Sequence, residues 1–479
     1  VHHPRRPGPR PGITQLPGTG QLRGLSRRGL RVGLTAASVG VIYGYDLSII
    51  AGALLFVTKD FGLTTRQQEL LTTMVVIGQV AGAFAGGALA DAIGRKRSLV
   101  LITAGYAIFA VLDAVSLSLP MLLVARLLLG VAIGVSVVVA PVYVAELAPP
   151  AVRGALVAAY QLATVSGIIV GYLTGYLLAD AHSWRWMLGL AAVPATLLML
   201  LLLRMPDTAR WYLLKGRADD ARRAVLQVEP EKPVDDVDKQ LDEISLAIRE
   251  HSGSRKGNLS EMLRRPYLRA TVFVIALGVL VQVTGVNGII YYSPRLFEAM
   301  GFEGNFALLA LPAMVQVAGL GAVATSLLLV DRLGRRPILL SGIAMMVVAD
   351  AVLIAVFAHG LGLLFGFVGV LLFIVGFNLG FGSLVWVYAA EAFPTHLRSL
   401  GSSTMLTFNL TANALIAGFF LTMLHWLGGT GVFAVFGALA VISLVVIYRY
   451  APETKGRELE EIRHFWENGG RWPASCPET

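Results

Sequence analysis

Asp46 lies near the middle of LTAASVGVIYGYDLSIIAGALLF, residues 34–56, and is the only charged residue of that run. A carboxylate at the centre of a membrane helix costs on the order of 2.5–3.5 kcal/mol on insertion scales, so its expected role is functional. The plainer alternative is a structural ion pair inside a helix bundle. Arg126 follows a few residues after Pro120 and precedes the small-residue run LLLGVAIG. It reads as the other intramembrane charge of the first half, and pairing it with Asp46 offsets two desolvation costs at once. Protonating Asp46 neutralises it and frees Arg126. Alternation between those two states is the chemistry of a proton-coupled switch.

Uncharged polar side chains inside apolar runs form a second set. Gln161 lies in the fifth run, Gln282, Asn287 and Tyr291 in the seventh, Asn378 and Trp386 in the tenth, and Asn409 and Asn413 in the eleventh. Asn287 with Tyr291, and Asn409 with Asn413, have the i, i+4 spacing of one helix face, while Asn378 and Trp386 stand two turns apart. Amides donate and accept, and an aromatic ring stacks on a sugar face, so the set suits a neutral polyhydroxylated ligand. Each residue alone is ordinary interhelical glue. Their joint occurrence at similar depths carries the reading. Asn409-Leu410-Thr411 also matches a glycosylation sequon, which its mid-span position makes accidental.

The elements that hold these residues follow from composition. The chain has 479 residues, 56% hydrophobic and only 14% charged, where soluble domains carry about 25% charged residues. It reads as an all-α integral membrane protein. Twelve apolar segments, from Val32–Phe56 to Thr430–Tyr450, are each long enough to cross a hydrocarbon core. The net charge of +9 comes from basic residues between those segments, with no contiguous basic face, and no nucleic-acid partner is expected. Cys476 is the single cysteine, so neither an internal disulfide nor a CxxC site is expected. No metal site or cofactor is expected beyond a proton as coupling ion. His2 and His3 belong to a Pro/Gly/Arg-rich start without the apolar core of a signal peptide, read as a flexible tail. No P-loop or nucleophile elbow occurs, so neither an enzyme nor ATP drive is expected.

Arginine and lysine alternate between connections. Arg95, Lys96 and Arg97 follow the second segment, Arg153 the fourth, Arg332, Arg335 and Arg336 the eighth, and Arg398 the tenth. Ser116–Pro120, His359–Gly362 and His425–Gly429 contain none. The positive-inside bias puts both termini in the cytoplasm. The expected organisation is a basic tail over 1–29, a six-helix bundle over 30–205, a cytoplasmic helical linker over 206–267, a second bundle over 268–451 and a tail over 452–479. In the linker, Val237, Leu241, Ile244 and Ile248 recur at helical spacing.

The halves repeat. ALADAIGRKRSL answers LLVDRLGRRPIL, VYVAELAPPAVRG answers VYAAEAFPTHLRS, and PDTARW answers PETKGR. Three motif pairs in the same order imply two homologous bundles, with a substrate site at the midplane between them. The duplicated charges Asp91, Arg95, Glu146 and Arg153, with Asp331, Arg335, Glu391 and Arg398, lie at cytoplasmic span ends. They read as gating networks that form in one conformation and break in the other, or more plainly as topology anchors.

Taken in order, YGYD at Tyr43, the GRK motif at Asp91, PVYVAELAPPAVRG at Pro141, GVNGIIYY at Gly285, DRLGRR at Asp331, Trp386 with the following Glu391, and PETKG at Pro452 resemble the sugar porter family of the major facilitator superfamily. The resemblance covers about Leu30 to Glu461. It implies the two-bundle fold, alternating access and monosaccharide transport by a functional monomer in a cell membrane, here read as bacterial. Asp46 falls where proton-coupled members have Asp and uncoupled facilitators Asn, and Arg126 falls at its partner's position. Gln161, Gln282, Asn287, Tyr291, Trp386, Asn409 and Asn413 match sugar-contact positions. The departures bear on specificity and gating: Val281 replaces one of two paired glutamines, Leu410 a tryptophan and Gly319 an asparagine, while Ser383 replaces a tenth-span proline, a change expected to alter gating. The rival readings are an uncoupled facilitator, a polyol or cyclitol transporter, and a sugar sensor, the last disfavoured by the short tail after Glu461.

Overall fold

The computed structural model describes residues 33–35, 37–147, 153–253, 259–457 and 459–472. The tail read over 1–29, with His2 and His3, and Cys476 lie outside the described residues. Among the described residues there is no β-strand. Ten helices among these residues are long and apolar enough to cross a membrane. One of them, Leu400–Tyr450, is 51 residues long and turns back at Gly428, whose φ of 64° and ψ of 175° are not helical. It therefore counts as two spans. The 25-residue helix Arg153–Leu177 packs along the first span and brings the bundle to twelve.

Local chemistry sets the boundaries. The first span, Val39–Phe61, ends on Gly62 in the left-handed conformation, φ 61°, which glycine adopts without a steric cost. The second, Thr65–Ile93, opens with a capping box between Thr64 and Gln67, which satisfies two of the helix's unpaired donors. The third is Arg95–Ala114 and the fourth Leu119–Leu147. The first span packs against the fifth, and the second against the fourth. Both contacts run through small residues. A Cβ on Gly78 would lie 2.2 Å from Leu127 O, and one on Gly134 2.1 Å from Gln79 O, so the two backbones approach more closely than any side chain permits.

The repeat is visible in backbone geometry. Gly94 (φ 106°, ψ 156°) ends the second span and Gly334 (φ 98°, ψ 164°) the eighth, Phe306–Leu333. The Asp207 carboxylate accepts the amides of Arg95 and Lys96 at the start of the third span. Glu453 does the same for Arg335 and Arg336 at the start of the ninth, Arg335–His359. The acid of each terminal motif thus caps the helix that follows each GR loop, where orphan amides and the helix dipole favour an anion. At both glycines a Cβ would run into that carboxylate, at 2.2 Å from Asp207 and 2.5 Å from Glu453.

These caps put the linker and the 452–472 segment at one end of the bundle, here called the linker side. The linker folds as Ala209–Leu214, Ala218–Val228, Val234–Gly253 and Leu259–Met262. Val237 and Leu241 form a small core there with Ala209, Ala221 and Val225, and Ile244 packs on it. At the opposite end, the far side, the two halves meet. The second span packs against the eleventh (395–427) and the fifth against the eighth. Among residues with described side chains, the hydrogen bonds joining the halves lie toward this side. Asn305 donates to Asp180 and Tyr172 to the Ile290 carbonyl.

Candidate functional site

Arg126 and Asp46 meet as expected from the sequence. Arg126 Nη1 donates to Asp46 Oδ1 at 2.7 Å, with the side chains 1% and 5% exposed. The first and fourth spans bring them together 80 positions apart in sequence. A charge-assisted bond this short offsets the cost of burying both ions.

The sequence reading of Arg126 as the only other intramembrane charge of the first half needs correction. Asp113 on the third span is equally buried, and its Oδ2 lies 3.7 Å from the same Nη1. Asp113 stands at the end of an apolar run, where a charge reads as a loop residue; a count of every acid inside the twelve segments finds it. The same count finds Asp350 in the ninth span, buried against Gly437, with neither carboxylate oxygen hydrogen-bonded. Asp350 takes no part in the site.

The amides gather where two helices break. The seventh span stops at Val283 and restarts at Val286, with Gly285 between at φ 95°. Across that break Asn287 donates to Gln282 at 3.0 Å, Gln282 donates to Asn409 at 3.2 Å, and Asn409 donates to the Gly278 carbonyl at 3.1 Å. Asn413 donates to the Tyr291 hydroxyl, and its own carbonyl oxygen is left without a partner. Interrupted helices at mid-depth are where secondary transporters place their polar sites.

The tenth span also breaks, between Leu379 and Phe381, at Gly380. The break falls between Asn378 and Trp386, so they do not stand two turns apart on one continuous helix. Asn378 is buried and Trp386 is 40% exposed. Gln161 is half-buried on the fifth span, and the structure shows no hydrogen bond that joins it to the amide chain. Sequence reasoning passed over Gln316, buried in the eighth span. A Cβ on Gly319 would lie 2.8 Å from Asn378 Nδ2 and 3.5 Å from Gln316 Oε1. The glycine at 319 thus makes room for the Asn378 amide from the opposite span.

On the linker side Arg95 pairs with Asp91 at 3.0 Å and with Glu146 at 3.2 Å, while Thr208 donates to Glu146 at 2.6 Å. Arg335 pairs with Asp331 at 3.6 Å. These contacts stay within one half. The side chains of Arg153 and Arg398 lie outside the described residues, and Glu391 is half-buried at the end of the tenth span.

On the far side Glu69, with a fully buried carboxylate, accepts from the Thr422 amide at 2.6 Å and the Thr422 hydroxyl at 2.8 Å. Its neighbour Arg66 pairs with Glu69 at 3.3 Å, donates to the Gly418 carbonyl at 2.6 Å and lies over the Phe419 ring. Gly418 and Thr422 are the i and i+4 partners of one helical turn. The pair grips that turn by its acceptor and its donor together. The sequence does not reveal this clamp, because its partners are more than 350 positions apart.

Two repeated six-helix bundles, clasped at one end and enclosing a buried ion pair and an amide chain, define a secondary transporter rather than an enzyme. The chain belongs to the Sugar (and other) transporter family, whose model matches residues 32–466, and the resemblance read from its motifs is borne out. It is 33% identical over 432 residues to the galactose-proton symporter of Escherichia coli (strain K12), covering 89% of this chain and 92% of that protein. It is 32% identical over 449 residues to the arabinose-proton symporter of the same strain, covering 92% and 94%. Its fold is similar to the partially occluded inward open conformation of the xylose transporter XylE from E. coli, with a TM-score of 0.79 at 22% identity, covering 90% of this chain and 100% of that one.

Proposed function

We propose that this protein is a proton-coupled symporter that imports a monosaccharide across a cell membrane by alternating access. The observation that carries the reading is the buried Asp46–Arg126 pair, at 2.7 Å. Adding a proton to the Asp46 carboxylate releases its bond to Arg126, which couples proton binding to the contact between the first and fourth spans. The galactose- and arabinose-proton relatives support both halves of the proposal, the proton and the sugar. No cofactor is invoked, and the functional unit is a monomer of two bundles, 30–205 and 268–451. The linker side, where the arginines gather, is the cytoplasmic side.

Gln282, Asn287, Asn409, Asn413 and Tyr291 form the sugar site, with Asn378, Gln161 and Trp386 completing it as the halves close. Each amide of the chain already donates a hydrogen bond within the protein. An arriving hydroxyl therefore exchanges one hydrogen bond for another, and the unpartnered Asn413 carbonyl is the group it gains. Gln282→Ala removes the link between Asn287 and Asn409, and is expected to raise KM for sugar about 10-fold while leaving proton dependence unchanged. Initial rates of labelled-sugar uptake in proteoliposomes test this. An unchanged KM removes Gln282 from the site.

A further inference from the structure

The charge around Arg126 does not close with Asp46 alone. Arg126 Nη1 lies 2.7 Å from Asp46 and 3.7 Å from Asp113, and all three side chains are at least nine-tenths buried. With both acids ionised the cluster carries a net negative charge in an apolar bundle, and one proton makes it neutral. Two more buried atoms of the cluster are without a hydrogen bond, Asp113 Oδ1 and Arg126 Nε. The capacity for a second arginine–carboxylate bond is present and unused.

We propose that Asp113 is the second seat of Arg126. When Asp46 takes a proton, the guanidinium passes to Asp113, and the proton-loaded cluster is a neutral Arg126–Asp113 pair beside an uncharged Asp46. The inference rests on the reading of Asp46 as the residue that carries the proton. In the step a proton from water adds to the Asp46 carboxylate and an Arg126 N–H donates to Asp113 in place of Asp46. No covalent bond of the arginine changes, and loss of the proton to water on the opposite side reverses the exchange. Asp113 is a positioning residue that touches neither the sugar nor the travelling proton. Without it, protonating Asp46 leaves a lone buried guanidinium, and that state resists the proton.

Among the described residues, the other titratable groups facing the cluster are Tyr43 and Tyr45 on the first span, Tyr106 on the third and Tyr291 on the seventh. Phenols and guanidinium groups do not titrate in the acid range. A shift there reports the carboxylates.

The test compares Asp113→Asn, Asp113→Ser, Asp113→Glu and Asp46→Asn with the wild type in proteoliposomes. The probe is whichever of labelled D-galactose, D-glucose, D-xylose and L-arabinose the wild type takes up. Both neutral Asp113 variants are expected to keep sugar exchange at acid pH. Their half-maximal pH for gradient-driven uptake moves about one unit or more toward acid, a tenfold change in proton activity. Asp113→Glu restores the wild-type midpoint. Coincident profiles for wild type and neutral variants overturn the inference. So does loss of exchange at every pH in both neutral variants, which makes Asp113 purely structural, or a Glu variant that shifts like the neutral ones. An Asp46→Asn protein that still accumulates sugar overturns the coupling reading itself. A dead Asp46→Asn beside unshifted Asp113 variants overturns this inference alone.

Discussion

Asp46→Asn is expected to abolish gradient-driven accumulation of sugar while sparing sugar exchange. Asparagine keeps the shape of the side chain and an oxygen that accepts from Arg126, so the contact between the first and fourth spans survives. Arg126 also retains a carboxylate neighbour in Asp113, 3.7 Å away, and is not left as a lone buried charge, the situation that costs folding stability. What is lost is the ability to bind and release a proton. For one proton per sugar, each pH unit supports about 1.4 kcal/mol of uphill transport, or tenfold accumulation. The variant equilibrates sugar and goes no further. Paired measurements of counterflow and net uptake check this, and uphill uptake by Asp46→Asn contradicts it.

The second large effect is expected at the far-side clamp. Glu69→Ala removes two hydrogen bonds to Thr422 and leaves Arg66 without its carboxylate. Hydrogen bonds to a charged group contribute about 1.5–3 kcal/mol each, so losing both is expected to favour the far-side-open state on the order of 100-fold. The clamp exists only while the second and eleventh spans touch, and its loss penalises that state alone. A cysteine at Thr73, whose side chain faces Gly418, in a Cys476→Ser background reports the change. Its labelling by a membrane-impermeant thiol reagent rises in Glu69→Ala. On the reading of the duplicated linker-side acids as gating residues, Glu146→Gln with Glu391→Gln is expected to lower it. Unchanged labelling in both excludes these residues as gates.

What the sequence reveals depends on whether the signal is local. The spans are legible because apolar length is a local property, and the repeat because Gly94 and Gly334 are required by the same backbone turn in both halves. Asp46 and Arg126 stand out as charges inside apolar runs. Asp113 is as buried as either, yet its place beside the end of the third span disguises it. Asn378 and Trp386 read as two turns apart because that spacing assumes an unbroken helix. The NLGFGS stretch around Gly380 is the local sign that it breaks. Glu69 and Thr422 form the opposite case, since no local pattern links residues more than 350 positions apart. Which amide meets which is likewise a property of the packed bundle.

The most direct measurement of the central claim is uptake by the wild-type protein in proteoliposomes, using labelled hexoses and pentoses with and without an inward proton gradient. The account predicts that at least one sugar accumulates above its outside concentration, and only when the gradient is present. A sugar that enters but merely equilibrates under the gradient contradicts it, and makes the Asp46–Arg126 pair a structural bond in a facilitator.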